Sequence, residues 1–233
     1  MAELAKGHQS SVAVRTRYFD DAIENVLNEM PIRQVVLPAA GMDARSFRLD
    51  LPQDTSWYEL DQPELITVKE QILGDVQARP RCQRHVVSVD LTSDWTATLL
   101  QAGMQPDRPT LWVVEGLLCY LTSEAVGALL DSITELSAPG SRLFVDVLGS
   151  MVVDRNLPWL RPWLEALEEV GMGQQFGTDD PESLFEPRGW HCEVTPFPTV
   201  ASGFGRWPSR APVRNTSDQP KPRPSSFLVQ ARR

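Results

Sequence analysis

Four short apolar runs in the first half of the chain each end in a small-residue or acidic feature. QVVL leads into the turn Ala39-Ala40-Gly41, SWYEL into Asp61, HVVSV into Asp90 and Leu91, and TLWVV into Glu115 and Gly116. A small-residue turn after a strand lets backbone amides approach a nucleotide or nucleoside closely. A carboxylate about twenty residues further on is where ribose hydroxyls are held in such proteins. Asp61 occupies that place. Asp90 and Glu115 add two acids to the same rim, with hydrogen bonds to offer an adenine edge and negative charge to offer a cation. The plainer alternative is that both only cap the turns that follow them.

The type of rim narrows the cofactor. A dinucleotide fingerprint needs three glycines at G-x-G-x-x-G, and only Gly41 stands at such a position. An acid-rich rim suits the sulfonium of S-adenosylmethionine better than the pyrophosphate of NAD. The spacing of Asp61 alone fits both.

These residues need strands to present them. Gln34 to Leu37, Ser56 to Leu60, His85 to Val89, Thr110 to Glu115 and Arg142 to Leu148 are apolar runs with little in/out alternation, as in central strands of a parallel sheet covered on both faces. Between them lie helical segments at Gln62 to Leu73, Asp94 to Ala102 and Ser123 to Ser137, the last with Ser123 as its N-cap and Pro139-Gly140 as its stop. An amphipathic helix over Val14 to Asn28 precedes the first strand. Such alternation predicts a doubly wound α/β sheet with its ligand at the carboxyl ends of the strands. Later in the chain, a helix is expected around Pro158 to Val170, a sixth strand at HCEVTPF (191–197), a surface loop at NTSDQPKPRP and a seventh strand at SFLVQ (226–230).

Composition sets outer bounds. The 233 residues suffice for one α/β domain, and 42% apolar with 23% charged residues is ordinary for a soluble protein. No apolar run approaches the roughly 18 residues of a membrane span, and MAELAKGHQSSVAVRTRYFD lacks the features of a secretory signal, so a cytoplasmic protein without a membrane partner is expected. A net charge of -9 opposes phosphate neutralisation and disfavours a nucleic-acid partner. Cys82, Cys119 and Cys192 are too widely spaced for a zinc site, so no metal is expected and the thiols are read as structural.

The runs RTRYFDD, VVLPAAGMDARSFRL, YELDQPE, VDLTSDW, LWVVEGLLCYL and SAPGSRL, in this order, resemble the successive blocks of the leucine carboxyl methyltransferase family, including its bacterial small-molecule O-methyltransferases. The resemblance spans roughly Val14 to Leu148, and SGFGRWPSRAP with SFLVQARR resembles the family's closing segment. It implies a Rossmann-like seven-stranded class I methyltransferase fold, mostly parallel, with the last strand antiparallel. Residues 14–30 would form the leading helix, 31–148 the cofactor-binding core, 149–192 a region covering the substrate and 193–233 the closing strands. By motif matching it implies S-adenosyl-L-methionine contacts from Arg15, Ala39, Ala40, Gly41, Asp61, Asp90, Leu91 and Glu115, with S-adenosyl-L-homocysteine as product. One departure is Ala39, where many members have glycine, and its methyl group fits if φ there is negative.

A carboxylate acceptor is ionised at neutral pH and needs no general base, whereas a hydroxyl does. His8, His85 and His191 lie outside the strand-end features and are read as structural, which favours a small carboxylic acid, polyketide-like or other, as acceptor. Arg17 and Tyr120 are the candidates to position it, with Arg15 on the cofactor side. Solvent exposure of Arg17 and ordinary packing of Tyr120 are the plainer readings. Trp57, Trp95 and Trp112 read as core, and Asp43 with Arg45 and Arg48 as ion pairs stiffening the turn. Asp61 is read as free for ligand, with little part in stability. Still open are a protein C-terminal carboxylate or a hydroxyl as acceptor, a dinucleotide oxidoreductase, and a methyltransferase fold retained only for binding. The oligomeric state is unreadable.

Overall fold

A computed structural model describes residues 2–153, 165, 168–169, 176–204 and 226–233, with side chains from residue 11 onward. The helix expected around Pro158 to Val170 lies almost wholly outside these residues, and the loop NTSDQPKPRP entirely so.

The expected strands form one seven-stranded sheet. They are β1 (Gln34–Pro38), β2 (Ser56–Asp61), β3 (Gln83–Ser88), β4 (Thr110–Val114), β5 (Arg142–Leu148), β6 (His191–Pro196) and β7 (Ser226–Arg232), in the order β3-β2-β1-β4-β5-β7-β6. All lie parallel except β7, which pairs antiparallel with both β5 and β6. Every residue of β1 and β4 is buried, as a central strand with two covered faces demands. Strand β3, at the edge, is largely exposed.

Alternate residues along each strand serve opposite faces. Val36, Trp112, Val114, Leu143 and Val145 pack on the face covered by α4 (Trp95–Gln101) and α5 (Ser123–Glu135), which carry Leu99, Leu129 and Ile133 into that layer. Trp57, Val35, Leu37, Leu111, Val113 and Phe144 pack on the other face against Phe19, Ile23 and Leu27 of α1 (Ala2–Glu29). Trp57, Trp95 and Trp112 are core residues, as expected.

Helix α1 is longer than its apolar pattern foretold, because residues 2–13 are rich in good helix formers but lack a continuous apolar stripe. It runs antiparallel to β5. Arg15 meets Asp146, the Phe19 ring stacks 6.2 Å from that of Phe144, and Val26 shares a cavity with Arg142. At its N-terminus, α5 is capped by Thr122 rather than Ser123: Thr122 has extended backbone and its side chain accepts from Ala125 N, while Ser123 is the first helical residue. The sixth strand stops at Pro196, and Phe197 opens a short helix where its ring is buried under α1. Among the described residues no helix is long and apolar enough to cross a membrane.

A buried carboxylate fixes the sheet beneath α3 (Pro63–Asp75). Glu59 of β2 is 2% exposed. It accepts from Lys69 Nζ at 2.7 Å, Arg84 Nη2 at 2.8 Å and Ser46 Oγ at 3.0 Å. Burial opposes its ionisation, but Arg84 and Lys69 outweigh that and hold its pKa below the usual carboxylate value. Replacing Glu59 by alanine leaves Lys69 buried without its partner and Arg84 with Glu70 alone, and is expected to cost about 3–5 kcal/mol in urea unfolding. The depressed native pKa also sets the pH dependence. The Glu59 contribution is complete above about pH 4.3, the unfolded value, and is lost as the pH falls through the lower native one. The parent should therefore lose more stability than Glu59→Ala on acidification below pH 4, and parallel curves would contradict this reading.

Candidate functional site

The carboxyl ends of β1, β2, β4 and β5 meet where the strand order changes direction between β1 and β4. In open α/β sheets this crevice is where ligands bind. After β1 the chain turns sharply: Ala40 N donates to Leu60 O of β2 at 3.0 Å, and Asp43 N returns to Ala40 O at 2.9 Å. Gly41 has φ +53° and nothing within 4 Å of where a Cβ would stand, so the space above its backbone is open.

Ala39 also has a positive φ, +54°. The condition under which its methyl group fits without strain, a negative φ, is therefore not met. The left-handed conformation costs a non-glycine residue about 1–2 kcal/mol, and the turn is maintained by the hydrogen bonds of its neighbours.

Asp61 lies where the spacing put it, but its carboxylate also builds the turn. Oδ2 accepts from Gly41 N at 2.6 Å, and Oδ1 accepts from Gln62 N at 2.8 Å, at the start of α3. Removing it must therefore disturb the turn as well as any ligand, contrary to the expectation of little effect on stability. Each oxygen keeps a second lone pair. Asp90 is exposed after β3, and Thr92 holds it through its backbone N–H and its hydroxyl at 2.9 and 2.8 Å, which lower its pKa. Leu91, beside it, packs against the core.

The end of β4 is bound to α1 by charge. Arg15 Nε donates to Glu115 Oε1 at 2.8 Å, and Nη1 donates to Asp146 Oδ2 at 2.7 Å. Asp146 Oδ1 accepts from Gly116 N at 2.6 Å. Gly116 has φ +68°, and a Cβ there would come within 3.3 Å of Arg15 Nη2. The glycine thus both supplies the left-handed turn and makes room for the guanidinium.

Behind Glu115 stands Arg45, in the short helix α2 (Arg45–Arg48), with only 3% of its side chain exposed. Its Nη2 lies 2.8 Å from Glu115 Oε2, a charge contact that is not aligned as a hydrogen bond. Its Nε donates to Asp20 Oδ1 at 2.7 Å, and Nη1 bonds Asp43. Burial works against the Arg45 charge, yet Asp43, Glu115 and Asp20 overcome it and raise its pKa. The expected pairing of Asp43 with Arg45 is present. Arg48 bonds Asp20 of α1 instead, through both terminal nitrogens at 2.6 and 2.7 Å.

Arg17 is not brought into the site. It is two-thirds exposed (67%) and pairs with Asp21 one turn on. Two residues of helix rotate a side chain by about 200°, so with Arg15 facing the strand ends Arg17 must face away. Tyr120 is brought in. It ends a 3₁₀ turn over Leu118–Tyr120, half-buried, within electrostatic reach of Arg15 and Asp146, and burial pushes its hydroxyl above the usual tyrosine pKa. The neighbouring Cys119 thiol is pushed up to about 12 by burial and Asp146, which makes it inert. His85 stacks on Tyr58 at 4.6 Å, and His191 begins β6 at the opposite end of the sheet. Neither reaches the crevice.

Two participants escaped the sequence reading: Asp146 and Asp20. Asp146 had a signal, being the one acid in the apolar run RLFVDVL. Asp20 looked like any helix-surface acid in RTRYFDD.

The family description Leucine carboxyl methyltransferase matches residues 1–134. A protein of Mycolicibacterium gilvum is 44% identical over 206 residues, covering 84% of this chain and 68% of that protein. The chain belongs to the leucine carboxyl methyltransferase family. The M. gilvum protein and a Parafrankia protein, 47% identical over 163 residues and 68% of this chain, both carry the provisional name S-adenosyl-L-methionine-dependent methyltransferase. The chain spans 52% of the Parafrankia protein and 64% of a Mycobacterium marinum relative. Among solved structures, a DUF574 family protein of Streptomyces avermitilis superposes with TM-score 0.66 at 15% identity, over 100% of this chain and 90% of that one. A provisionally named methyltransferase of Thermobifida fusca gives 0.64 at 17%, over 96% and 81%. Identities this low speak for the fold alone, which in this family is the class I methyltransferase fold.

Ala39 offers a direct test of the strained turn. Ala39→Gly relieves the left-handed penalty but loosens the unfolded chain, and a net gain of about 0.5–1 kcal/mol is expected. Thermal unfolding should show a higher midpoint, and a lower one would mean that the alanine methyl makes a packing contribution larger than its strain.

Proposed function

We propose that this protein is an S-adenosyl-L-methionine-dependent O-methyltransferase whose acceptor is the carboxylate of a small-molecule acid. The observation that carries the reading is Arg15, held between Glu115 and Asp146 against Gly116 at the crevice between β1 and β4. A methionine head group is zwitterionic, and this cluster offers a cation beside two acids. Among the described residues Arg15 Nη2 makes no hydrogen bond, which leaves it for the ligand carboxylate, while Glu115 and Asp146 suit the ammonium. Asp61 has lone pairs left for the ribose hydroxyls, the open space above Gly41 admits close backbone approach, and Asp90 and Leu91 flank the adenine side. Family membership supports the same cofactor. When bound, it supplies a methyl group made electrophilic by the sulfonium.

The protein then has to place an acceptor and exclude water. Tyr120, its pKa raised, keeps its proton at neutral pH and donates a hydrogen bond to an anionic acceptor rather than acting as a base. With neither His85 nor His191 at the crevice, an acceptor that needs no deprotonation fits the residues at hand. Arg17 has no part in this.

Titration calorimetry with S-adenosyl-L-homocysteine tests the cofactor. Binding is expected, and Asp61→Ala should weaken it by about 1.5–3 kcal/mol while also lowering the melting temperature, since the turn loses its anchor. Arg17→Ala should change neither. NAD binding without S-adenosyl-L-homocysteine binding would refute the assignment.

The acceptor is tested on the methylated product. Mild alkaline hydrolysis should release methanol, as a methyl ester does. A base-stable methyl ether would make the acceptor a hydroxyl and require a general base elsewhere.

A further inference from the structure

At the far end of β5 from Glu115 and Asp146 lies a second polar feature. A cavity of about 350 Å³ opens between the sheet and the later part of α1, floored by Val26 and Phe144 and walled by Arg142, Arg232 and His191. Strand register creates it. Arg142 of β5 is directly opposite Arg232 of β7, and Arg232 is directly opposite His191 of β6. Residues paired across antiparallel strands point to the same face with Cβ atoms about 4.5–5.5 Å apart, and like charges so placed destabilise the sheet. Three basic side chains thus stand in one row across three strands.

Among the described residues no side-chain carboxylate forms an ion pair with this row. Among the described residues neither Arg142 nor Arg232 makes an ion pair, and the hydrogen bond of Arg142 is a 3.5 Å contact from Nη1 to Ser141 O. Burial, together with the charge of Arg232, holds the Arg142 pKa below its usual value. Glu193 also lines the cavity, but in the next row along, opposite Gln230, outside ion-pairing distance of both arginines. Gln230 donates to Tyr18 Oη of α1 at 2.8 Å, so the wall between the sheet and the helix is already held.

We propose that this cavity is an anion site that takes a phosphoryl group, gripped between Arg142 and Arg232 with His191 alongside. A phosphoryl group presents several oxygens to two guanidinium forks at once and turns a repulsive pair into two charge-assisted contacts. Val26 and Phe144 give the site one apolar side, while Arg232 and His191 are exposed and open to a ligand from solvent. Asp146 is four residues further along β5, about 13 Å away at strand rise, so the site is separate from the crevice and independent of the methyl-transfer reading.

The test uses inorganic pyrophosphate as probe, with sodium chloride matched in ionic strength and citrate as a polycarboxylate comparison, followed by calorimetry and thermal unfolding. Saturable binding of pyrophosphate beyond the chloride effect is expected, weakened about tenfold or more in Arg232→Gln and Arg142→Gln and unchanged in Arg79→Gln, an exposed arginine elsewhere. In anion-free buffer at low salt, Arg232→Gln should melt at a higher temperature than the parent, because a repulsion is removed. A lower melting temperature would mean that Arg232 has a structural partner, and the proposal fails. It fails equally if pyrophosphate does no more than chloride, if Arg232→Gln binds as the parent does, or if citrate alone saturates. S-adenosyl-L-homocysteine affinity should be the same in Arg232→Gln as in the parent.

Discussion

The candidate site depends on one alternating chain of charge. Arg48, Asp20, Arg45, Glu115, Arg15 and Asp146 follow one another in ion-pair contact, with Asp43 as a side branch on Arg45. These seven side chains come from α1, the turn after β1, α2, the end of β4 and β5. Each guanidinium is tied to acids on at least one other segment, and loss of Asp20, Arg45 or Arg15 would leave Arg48, Asp43 or Asp146 respectively without its partner in the network, which is the costly event in such networks. Four carboxylates stand against three guanidinium groups. The network therefore carries one net negative charge, on the side of the fold where a cationic ligand is proposed.

The same network explains which parts of the site were legible in the sequence. Asp61, Glu115 and the Ala39 to Gly41 turn follow directly from strand ends, and strand ends are visible as breaks in apolar runs. Arg15 was assigned to the ligand from its block, and it is there, but already bonded to two protein acids. Asp146 was hidden because a carboxylate inside an apolar strand looks like an outward-facing residue until the neighbouring element is known. Arg17 was misplaced for a geometric reason: it shares a motif with Arg15, yet residues two apart on a helix cannot share a face. The positive φ of Ala39 was not legible, because composition shows that a residue is small, not that the turn needs the left-handed region. Of the fold, all seven strands were legible, while the first half of α1 and the short helices α2 and Phe197–Gly203 were not, since none carries enough periodic apolar residues to announce itself.

The Ala39 to Gly41 turn and Asp61 illustrate how stability and ligand chemistry share atoms here. The carboxylate proposed to hold the ribose also restrains the backbone of Gly41, and an alanine is held in a conformation it disfavours. Local strain of this kind persists where the surrounding structure over-determines it. Here the hydrogen bonds from Ala40 to Leu60 and from Gly41 to Asp61 do so.

Strand β7 lies between β5 and β6, although β6 precedes it in the chain. Among the described residues strand β6 pairs with β7 alone, so when its residues leave the ribosome they have no strand to pair with. They must wait, their backbone groups bonded to water, until a segment synthesised more than thirty residues later arrives and slots in between. That late insertion completes a run of contacts distant in sequence, the class of contact that forms slowly. The nascent protein thus passes through a five-stranded stage in which β5 is an open edge and β6 an unpaired, half-polar tail, the form in which it is most exposed to chaperones and to its own neighbours.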